Sequence, residues 1–214
     1  MLPERLIQGY QTFRRERFDR ERTRYEELGR NGQAPNVMVI GCCDSRVSPE
    51  VIFDASPGEL FVIRNVANLV PPFEIDSQYH GTSAAIEFAV QALKVKHIVV
   101  LGHSNCGGVR AFADRLASLP PNGFIYKWMT LIAPAAERVG PRGGRDEGAY
   151  MMSLELAAID NSLANLMSFP AIRSLVAESQ LSLHGAYFGI AKGLLLVRDG
   201  ATGNYSLVNA PNNV

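Results

Sequence analysis

Val37-Met38-Val39-Ile40-Gly41-Cys42-Cys43-Asp44-Ser45-Arg46 joins an apolar run to a group of reactive side chains. A second stretch, Ile98-Val99-Val100-Leu101-Gly102-His103-Ser104-Asn105-Cys106-Gly107, repeats this organisation. Short apolar runs bounded by turn residues are typical of buried strands. Each reactive group therefore follows a strand. In open α/β sheets, ligand sites form at the carboxyl ends of parallel strands.

Further strands and helices surround these two stretches. Apolar runs predict strands over 36–41, 60–64, 97–101, 181–190 and 194–197, the last as an antiparallel edge. Helical periodicity predicts helices over 3–28, 82–93, 109–116, 126–139 and 150–168. A short helix is also predicted from Ser48-Pro49-Glu50, with Ser48 as N-cap and Pro49 at the first helical position. Strands that alternate with helices pair in parallel through right-handed crossovers. We therefore predict an α/β fold with a mainly parallel central sheet flanked by helices, an antiparallel edge strand and an N-terminal helical arm.

Composition limits the classes of protein to which the chain can belong. Of its 214 residues, 47% are apolar and 20% are charged, which fits a single folded domain over 1–214. The formal net charge of zero gives no general attraction to nucleic acid or to an anionic membrane. Residues 14–30 carry seven arginines, but five acidic residues lie among them, as on a solvated helix face. We therefore expect no nucleic-acid or membrane partner.

The cysteines and the N-terminal residues indicate where in the cell the protein lies. Three cysteines, two of them adjacent, cannot form a regular disulfide framework, and they fit a reducing compartment. The first residues, 1–5, lack the basic segment and apolar run of a signal peptide. No apolar run approaches the ~20 residues of a transmembrane helix. We expect a cytoplasmic protein whose N-terminal arm, 1–30, packs on a partner subunit.

Cys42, His103 and Cys106 together have the chemistry of a zinc site. Thiolates and imidazoles are typical zinc ligands, and the His103-x-x-Cys106 spacing allows both side chains to reach one ion. Three protein ligands leave one position for water, as in catalytic zinc sites. Asp44 is the leading candidate for a fourth ligand, but Arg46 could hold its carboxylate off the metal. Both arrangements of Asp44 remain open at this point.

Several motifs in combination resemble the β-class carbonic anhydrases. They are Cys42-x-Asp44-x-Arg46, Arg64-Asn65-Val66-Ala67-Asn68-Leu69-Val70-Pro71, Ala85-Ile86-Glu87, Gly102-His103-Ser104-Asn105-Cys106-Gly107-Gly108 and His184-Gly185. The resemblance covers nearly the whole chain. It implies one zinc ion per chain, held by Cys42, His103 and Cys106, with Asp44 and Arg46 as a catalytic dyad. The implied reaction is reversible hydration of carbon dioxide to bicarbonate and a proton, by attack of a zinc-bound hydroxide, in a homodimer or homotetramer.

The plant-type subgroup of this family provides a further resemblance, in its substrate pocket. The residues at the matching positions are Gln33, Phe61, Val66, Phe88 and Gly107. An apolar slot suits carbon dioxide, and the Gln33 amide could hold a bicarbonate oxygen. The helix that carries Phe88 could serve the site of a partner subunit. Composition alone is equally consistent with apolar residues that belong to the core and a glutamine that lies in a turn. The pocket and the core interpretations therefore both remain open.

Other reactive side chains fit structural roles. Cys43 alternates with Cys42 along the strand, so we expect it to be buried filler on the opposite side. His97 and His184 fit structural or surface positions, whereas His80 is a candidate carrier of protons. Two alternative functions also remain open. One is hydrolysis of carbon disulfide or carbonyl sulfide, and the other is a zinc-stabilised binding protein whose dyad no longer works.

Overall fold

A twisted sheet forms the centre of the computed structural model, which describes residues 1–76, 79–114, 120 and 123–209. Its described strands are β1 (Val37–Cys42), β2 (Leu60–Asn65), β3 (His97–His103), β4 (Ser182–Gly189), β5 (Leu194–Arg198) and β6 (Tyr205–Leu207). Their order is β2-β1-β3-β4-β5-β6. The first four strands in this order pair in parallel, and β5 and β6 pair antiparallel at one edge. The predicted fold class is confirmed.

Helices connect and flank the strands. They are α1 (Glu4–Thr12), α2 (Asp19–Asn31), α3 (Pro49–Ile52), α4 (Gly81–Glu87), α5 (Gly107–Ala113), α6 (Phe124–Met129), α7 (Ala133–Val139), α8 (Glu147–Leu166) and α9 (Pro170–Ala177). A π-helical segment, Phe13–Phe18, joins α1 to α2. The helix predicted over 109–116 begins earlier, at Gly107, and its last residues lie outside the described ones. Among the described helices, none has both the length and the apolar character needed to cross a membrane.

Two elements of the structure are absent from the prediction. The helix α9 is only eight residues long and begins with Pro170, which is favoured at the first helical position because it has no N–H group to leave unpaired. The strand β6 has three residues, too few to show an alternating pattern. It is defined by its pairing with β5 rather than by its own sequence.

The helix α8 lies unusually close to the sheet where β3 and β4 run side by side. A Cβ atom at Gly102 would lie 2.6 Å from Cδ1 of Ile159, and one at Gly185 would lie 3.1 Å from Cγ2 of the same side chain. The two glycines therefore form a notch that Ile159 fills. This notch brings α8 against the carboxyl end of β3, where the reactive residues follow.

The second half of the N-terminal arm contacts the body of its own chain. Arg24 Nε on α2 donates a 2.5 Å hydrogen bond to the carbonyl oxygen of Pro57, and Leu28 packs over Gly58. Within the described part of the chain, no residue of α1 is buried. Leu6 is 57% exposed and Tyr10 63%. The apolar face of α1 is thus open to another surface.

Replacing Gly102 by alanine tests the notch. The added methyl group would meet the fully buried Ile159 side chain, and overpacking of this kind costs roughly 1–3 kcal/mol of stability. Gly144→Ala is the control, because nothing lies within 4 Å of a Cβ atom there. Urea unfolding should show a clearly lower midpoint for Gly102→Ala than for the control. Equal midpoints would contradict the close approach of α8.

Candidate metal centre

The topology brings two cysteines and a histidine together at one edge of the sheet. Strands β1 and β3 are parallel neighbours that end at Cys42 and His103, and Cys106 lies just before α5. Carboxyl ends of parallel strands meet at the same edge. The three residues are buried, with exposed fractions of 5%, 1% and 2% in chain order.

The three side chains are close enough to share one ion. Their ligating atoms all lie within 4.8 Å of one another, and the two sulfur atoms are 4.0 Å apart. Zinc–sulfur bonds are about 2.3 Å long, so two thiolates on a tetrahedral zinc ion would lie about 3.8 Å apart. The spacing of the sulfurs therefore fits a tetrahedral ion of this size.

His103 has a free nitrogen directed into the same space. Its Nδ1 lies 3.0 Å from the carbonyl oxygen of Ser104, which fixes the tautomer with the proton on Nδ1. Its Nε2 atom is buried and has no hydrogen-bond partner among the described residues. A buried acceptor without a partner costs free energy, and a metal ion would remove that cost. The histidine is therefore oriented as a metal ligand.

The two thiols are also placed where a cation would favour their ionisation. The hydrogen bond with Cys106 lowers the pKa of Cys42. The same hydrogen bond, together with burial, raises the pKa of Cys106. Two buried thiolates side by side repel each other, so without a positive ion the pair keeps one proton. A divalent ion would allow both sulfurs to ionise, so the donor set fits zinc.

Asp44 and Arg46 form a bidentate ion pair beside the three ligands. Arg46 donates from Nε to Oδ1 at 2.9 Å and from Nη2 to Oδ2 at 2.6 Å. This guanidinium holds the pKa of Asp44 well below its usual range. The Asp44 Oδ2 atom lies 4.0 Å from Nε2 of His103. The carboxylate is thus ionised, engaged by Arg46, and adjacent to the ligand cluster rather than part of it.

Arg64 fixes the backbone between the first ligand and this ion pair. Its Nε donates to the Cys42 carbonyl oxygen at 2.7 Å, and its Nη2 donates to the Asp44 carbonyl oxygen at 2.6 Å.

Cys43 lies between these two carbonyls and is exposed. The expectation that Cys43 is buried filler is therefore wrong, because β1 ends at Cys42 and Cys43 lies beyond the strand.

Two of the five expected pocket residues lie beside the ligands. Val66 directly follows β2 and packs against the buried cluster that contains Cys42 and Cys106. Its carbonyl oxygen accepts a 2.8 Å hydrogen bond from Nε1 of Trp128. Gly107 is the first residue of α5 and follows Cys106 directly.

The other three expected pocket residues lie far from the ligands of their own chain. Phe61 pairs with Met38 in the sheet, four residues or about 13 Å along β1 from Cys42. The ring of Phe88 lies 5.9 Å from that of Phe61 and is 49% exposed. Gln33 precedes β1, at the end of the strand opposite Cys42. One chain therefore does not bring these three residues to its own cluster.

Glu155 and Tyr187 are neighbours of the cluster that the sequence analysis missed. Glu155 accepts a 3.0 Å hydrogen bond from the Cys106 backbone N–H and a 2.7 Å bond from the Tyr187 hydroxyl. Burial raises the pKa of Glu155. A signal does exist in the sequence: Glu155 lies four residues from both Met151 and Ile159, on a buried helix face. An acidic residue in that position needs a buried partner.

A mainly parallel sheet with two thiols and an imidazole at its carboxyl edge defines an α/β protein with a candidate transition-metal site. Comparison with known proteins gives the family. The family model described as carbonic anhydrase matches residues 37–195. Beta carbonic anhydrase 3 of Arabidopsis thaliana is 34% identical over 195 residues, which are 89% of this chain and 74% of that protein.

Solved structures agree with this match. The β-carbonic anhydrase CcaA has a TM-score of 0.88 at 33% identity, over 97% of this chain and 92% of that one. A structure from a study of two tetrameric β-carbonic anhydrases of Sordaria macrospora has a TM-score of 0.77 at 32% identity, over 94% and 96%. The chain belongs to the β-carbonic anhydrase family and is an enzyme of that family.

Exchange of single cysteines tests the ligand set. Cys106→Ser removes a buried sulfur from the cluster, so we expect bound zinc to fall from one ion per chain to a small fraction. Cys43→Ser is the matched control, because Cys43 is exposed and outside the cluster. Metal analysis of both purified variants gives the readout. Loss of zinc from Cys43→Ser, with retention in Cys106→Ser, would reverse the assignment.

Proposed function

We propose that this enzyme hydrates carbon dioxide reversibly to bicarbonate and a proton, with one zinc ion per chain held by Cys42, His103 and Cys106. Membership of the family supports the reaction. The observation that carries the metal assignment is the convergence of three buried ligand atoms within 4.8 Å of one another. The unpartnered Nε2 of His103 lies among them.

The proposed chemistry divides between the metal and two side chains. When bound, zinc acts as a Lewis acid that lowers the pKa of water, which makes hydroxide available near neutral pH. Asp44 is acceptor-only when ionised, so it would accept a hydrogen bond from the hydroxide O–H. That bond would turn an oxygen lone pair toward the carbon of carbon dioxide. The lowered pKa of Asp44 makes this side chain an orienting group rather than a proton acceptor.

Arg46 would keep Asp44 in this orienting position. Its guanidinium makes two hydrogen bonds to the carboxylate and a third, of 3.1 Å, to the carbonyl oxygen of Asn105. The guanidinium therefore connects the segment after β1 to the segment after β3. A carboxylate held in a fork of this kind has to break two charge-assisted hydrogen bonds before it can become a fourth metal ligand. We therefore propose the dyad as the active arrangement.

The substrate pocket is proposed to include residues from two subunits. Val66 and Gly107 would border the site of their own chain. Gln33, Phe61 and Phe88 would complete the site of a partner, since they lie too far from the ligands of their own chain. The apolar Phe61–Phe88 pair suits carbon dioxide, and the Gln33 amide suits bicarbonate.

A homodimer or homotetramer follows from this arrangement. The open apolar face of α1 and the half-exposed Phe88 side chain support contact with a second copy. The Sordaria macrospora relatives are tetrameric. We also propose a cytoplasmic location, which the three free cysteines support.

Asp44→Asn tests the orienting role. An amide has a similar shape but neither the charge nor the two acceptor oxygens, so zinc should stay bound while the carbon dioxide hydration rate falls roughly 100-fold or more. Stopped-flow hydration, with a zinc count per chain, gives both readouts. Asp160→Asn is the matched control, because Asp160 pairs with Arg198 at 2.8 Å away from the cluster. Hydration at the wild-type rate by Asp44→Asn would refute the dyad.

Mixing two inactive variants tests whether the pocket is shared. Phe88→Asp puts a charge on a half-exposed position that is proposed to face the partner's site. A mixed dimer of Phe88→Asp and Asp44→Asn chains would have one intact site, made of a wild-type dyad and a wild-type Phe88. Unfolding and refolding an equal mixture should restore roughly a quarter of wild-type hydration activity, by random pairing of subunits. No recovery in verified mixed dimers would mean that Phe88 serves its own chain.

A further inference from the structure

The Glu155 carboxylate lies directly behind one of the proposed metal ligands. Its Oε1 accepts the backbone N–H of Cys106 at 3.0 Å, and its Oε2 accepts the hydroxyl of Tyr187 at 2.7 Å. Glu155 is only 4% exposed. A buried carboxylate is costly unless its oxygens have partners. Here each oxygen has a donor, and one of those donors belongs to a ligand residue.

The fold places this carboxylate with little freedom. Ile159 fills the notch formed by Gly102 and Gly185, which fixes the height of α8 above β3 and β4. Glu155 lies one turn earlier on α8, so its side chain reaches the segment that follows β3. Tyr187 pairs with Gly102 across the sheet and approaches the carboxylate from β4. The acceptor for Cys106 is thus held from both the helix and the sheet.

The backbone N–H of Cys106 has no hydrogen-bond acceptor within the described residues of its own helix. Cys106 is the N-cap residue of α5, where the backbone N–H lies outside the helical hydrogen-bond pattern. The residue before it, Asn105, has a φ of 55°, in the left-handed region that most side chains disfavour. Asparagine is one of the residues that adopt this region readily, so the sequence itself allows the turn here. Loss of the Glu155 contact would leave a buried donor unpaired and free the segment to rotate.

We propose that Glu155 is a positioning residue that fixes the Cys106 main chain, and so directs the Cys106 sulfur toward the metal, while Tyr187 holds the carboxylate in place. The inference rests on the proposed zinc site. It goes beyond that site because neither side chain is a ligand or reaches the substrate. The contact acts through geometry: an acceptor of the right length is needed at this point, rather than a charge.

Two substitutions at position 155 separate geometry from charge. Glu155→Gln keeps the length of the side chain and an acceptor oxygen for the Cys106 N–H, but it removes the charge. Glu155→Asp keeps the charge but shortens the side chain by about 1.5 Å, one carbon–carbon bond. An aspartate therefore cannot hold both the Cys106 and Tyr187 contacts.

The matched controls are a second acidic residue of α8 and the tyrosine of β6 that it contacts. Asp160 is also an acidic residue of α8 that accepts a tyrosine hydroxyl, that of Tyr205 at 3.1 Å, but it touches no residue of the cluster. Asp160→Glu and Tyr205→Phe are therefore the controls for Glu155→Asp and Tyr187→Phe. Urea unfolding of each variant measures the change in stability that the substitution itself produces.

The experiment measures release of zinc to a chelator and the absorption spectrum of the cobalt-substituted enzymes. We expect Glu155→Asp to release zinc roughly 10–100-fold faster than wild type and to change the sulfur-to-cobalt absorption band. Tyr187→Phe should release zinc severalfold faster. Glu155→Gln and both controls should stay within about twofold of wild type, because residue 155 keeps an acceptor for the Cys106 backbone N–H in each of them.

Three outcomes would overturn the inference. If Glu155→Asp and Tyr187→Phe release zinc no faster than their controls, with unchanged cobalt spectra, the contact is merely structural. If Glu155→Gln loses zinc as fast as Glu155→Asp, charge rather than geometry is responsible. A wild-type enzyme that binds neither zinc nor cobalt would overturn the proposed zinc site itself. That failure is distinguished from the other two because it appears before any substitution is made.

Discussion

Two sulfur atoms that cannot both lose their protons unless a cation joins them are the centre of this structure. Cys42 and Cys106 come from segments 64 residues apart, yet their sulfurs lie 4.0 Å from each other in a buried environment. Repulsion between two thiolates at that distance would favour their separation. The surrounding fold opposes this separation. The parallel pairing of β1 with β3 fixes the strand ends, and hydrogen bonds from other residues fix the two segments that follow.

Those hydrogen bonds involve side chains from β2, from the segment after β1 and from α8. Arg64 donates to the carbonyls of residues 42 and 44, Arg46 connects the segments after β1 and β3, and Glu155 accepts from the Cys106 backbone. None of these contacts uses a ligand atom. The ligand atoms therefore remain free to converge, while the main chain that carries them is restrained. In metal sites, contacts outside the ligand set orient the ligands in this way.

The sequence predicts the parts of this arrangement that depend on local patterns. The apolar runs that become β1 and β3, and the spacing of His103 and Cys106, are visible without coordinates, so the fold class and the cluster could be predicted. Cys43 was misjudged, because the point at which a strand ends depends on its neighbours. The strand β6 and the contact between Glu155 and Cys106 depend on residues distant in sequence. The role proposed for Phe88 depends on a second copy of the chain, which no single-chain pattern describes.

The most direct test of the central claim is X-ray absorption spectroscopy at the zinc edge of the purified enzyme. We expect one zinc ion per chain with two sulfur neighbours at about 2.3 Å and two nitrogen or oxygen neighbours at about 2.0–2.1 Å. One of the lighter atoms would be His103 Nε2, and the other would come from solvent. A zinc shell without sulfur, or one with a single sulfur neighbour, would contradict the claim that Cys42 and Cys106 hold the ion together.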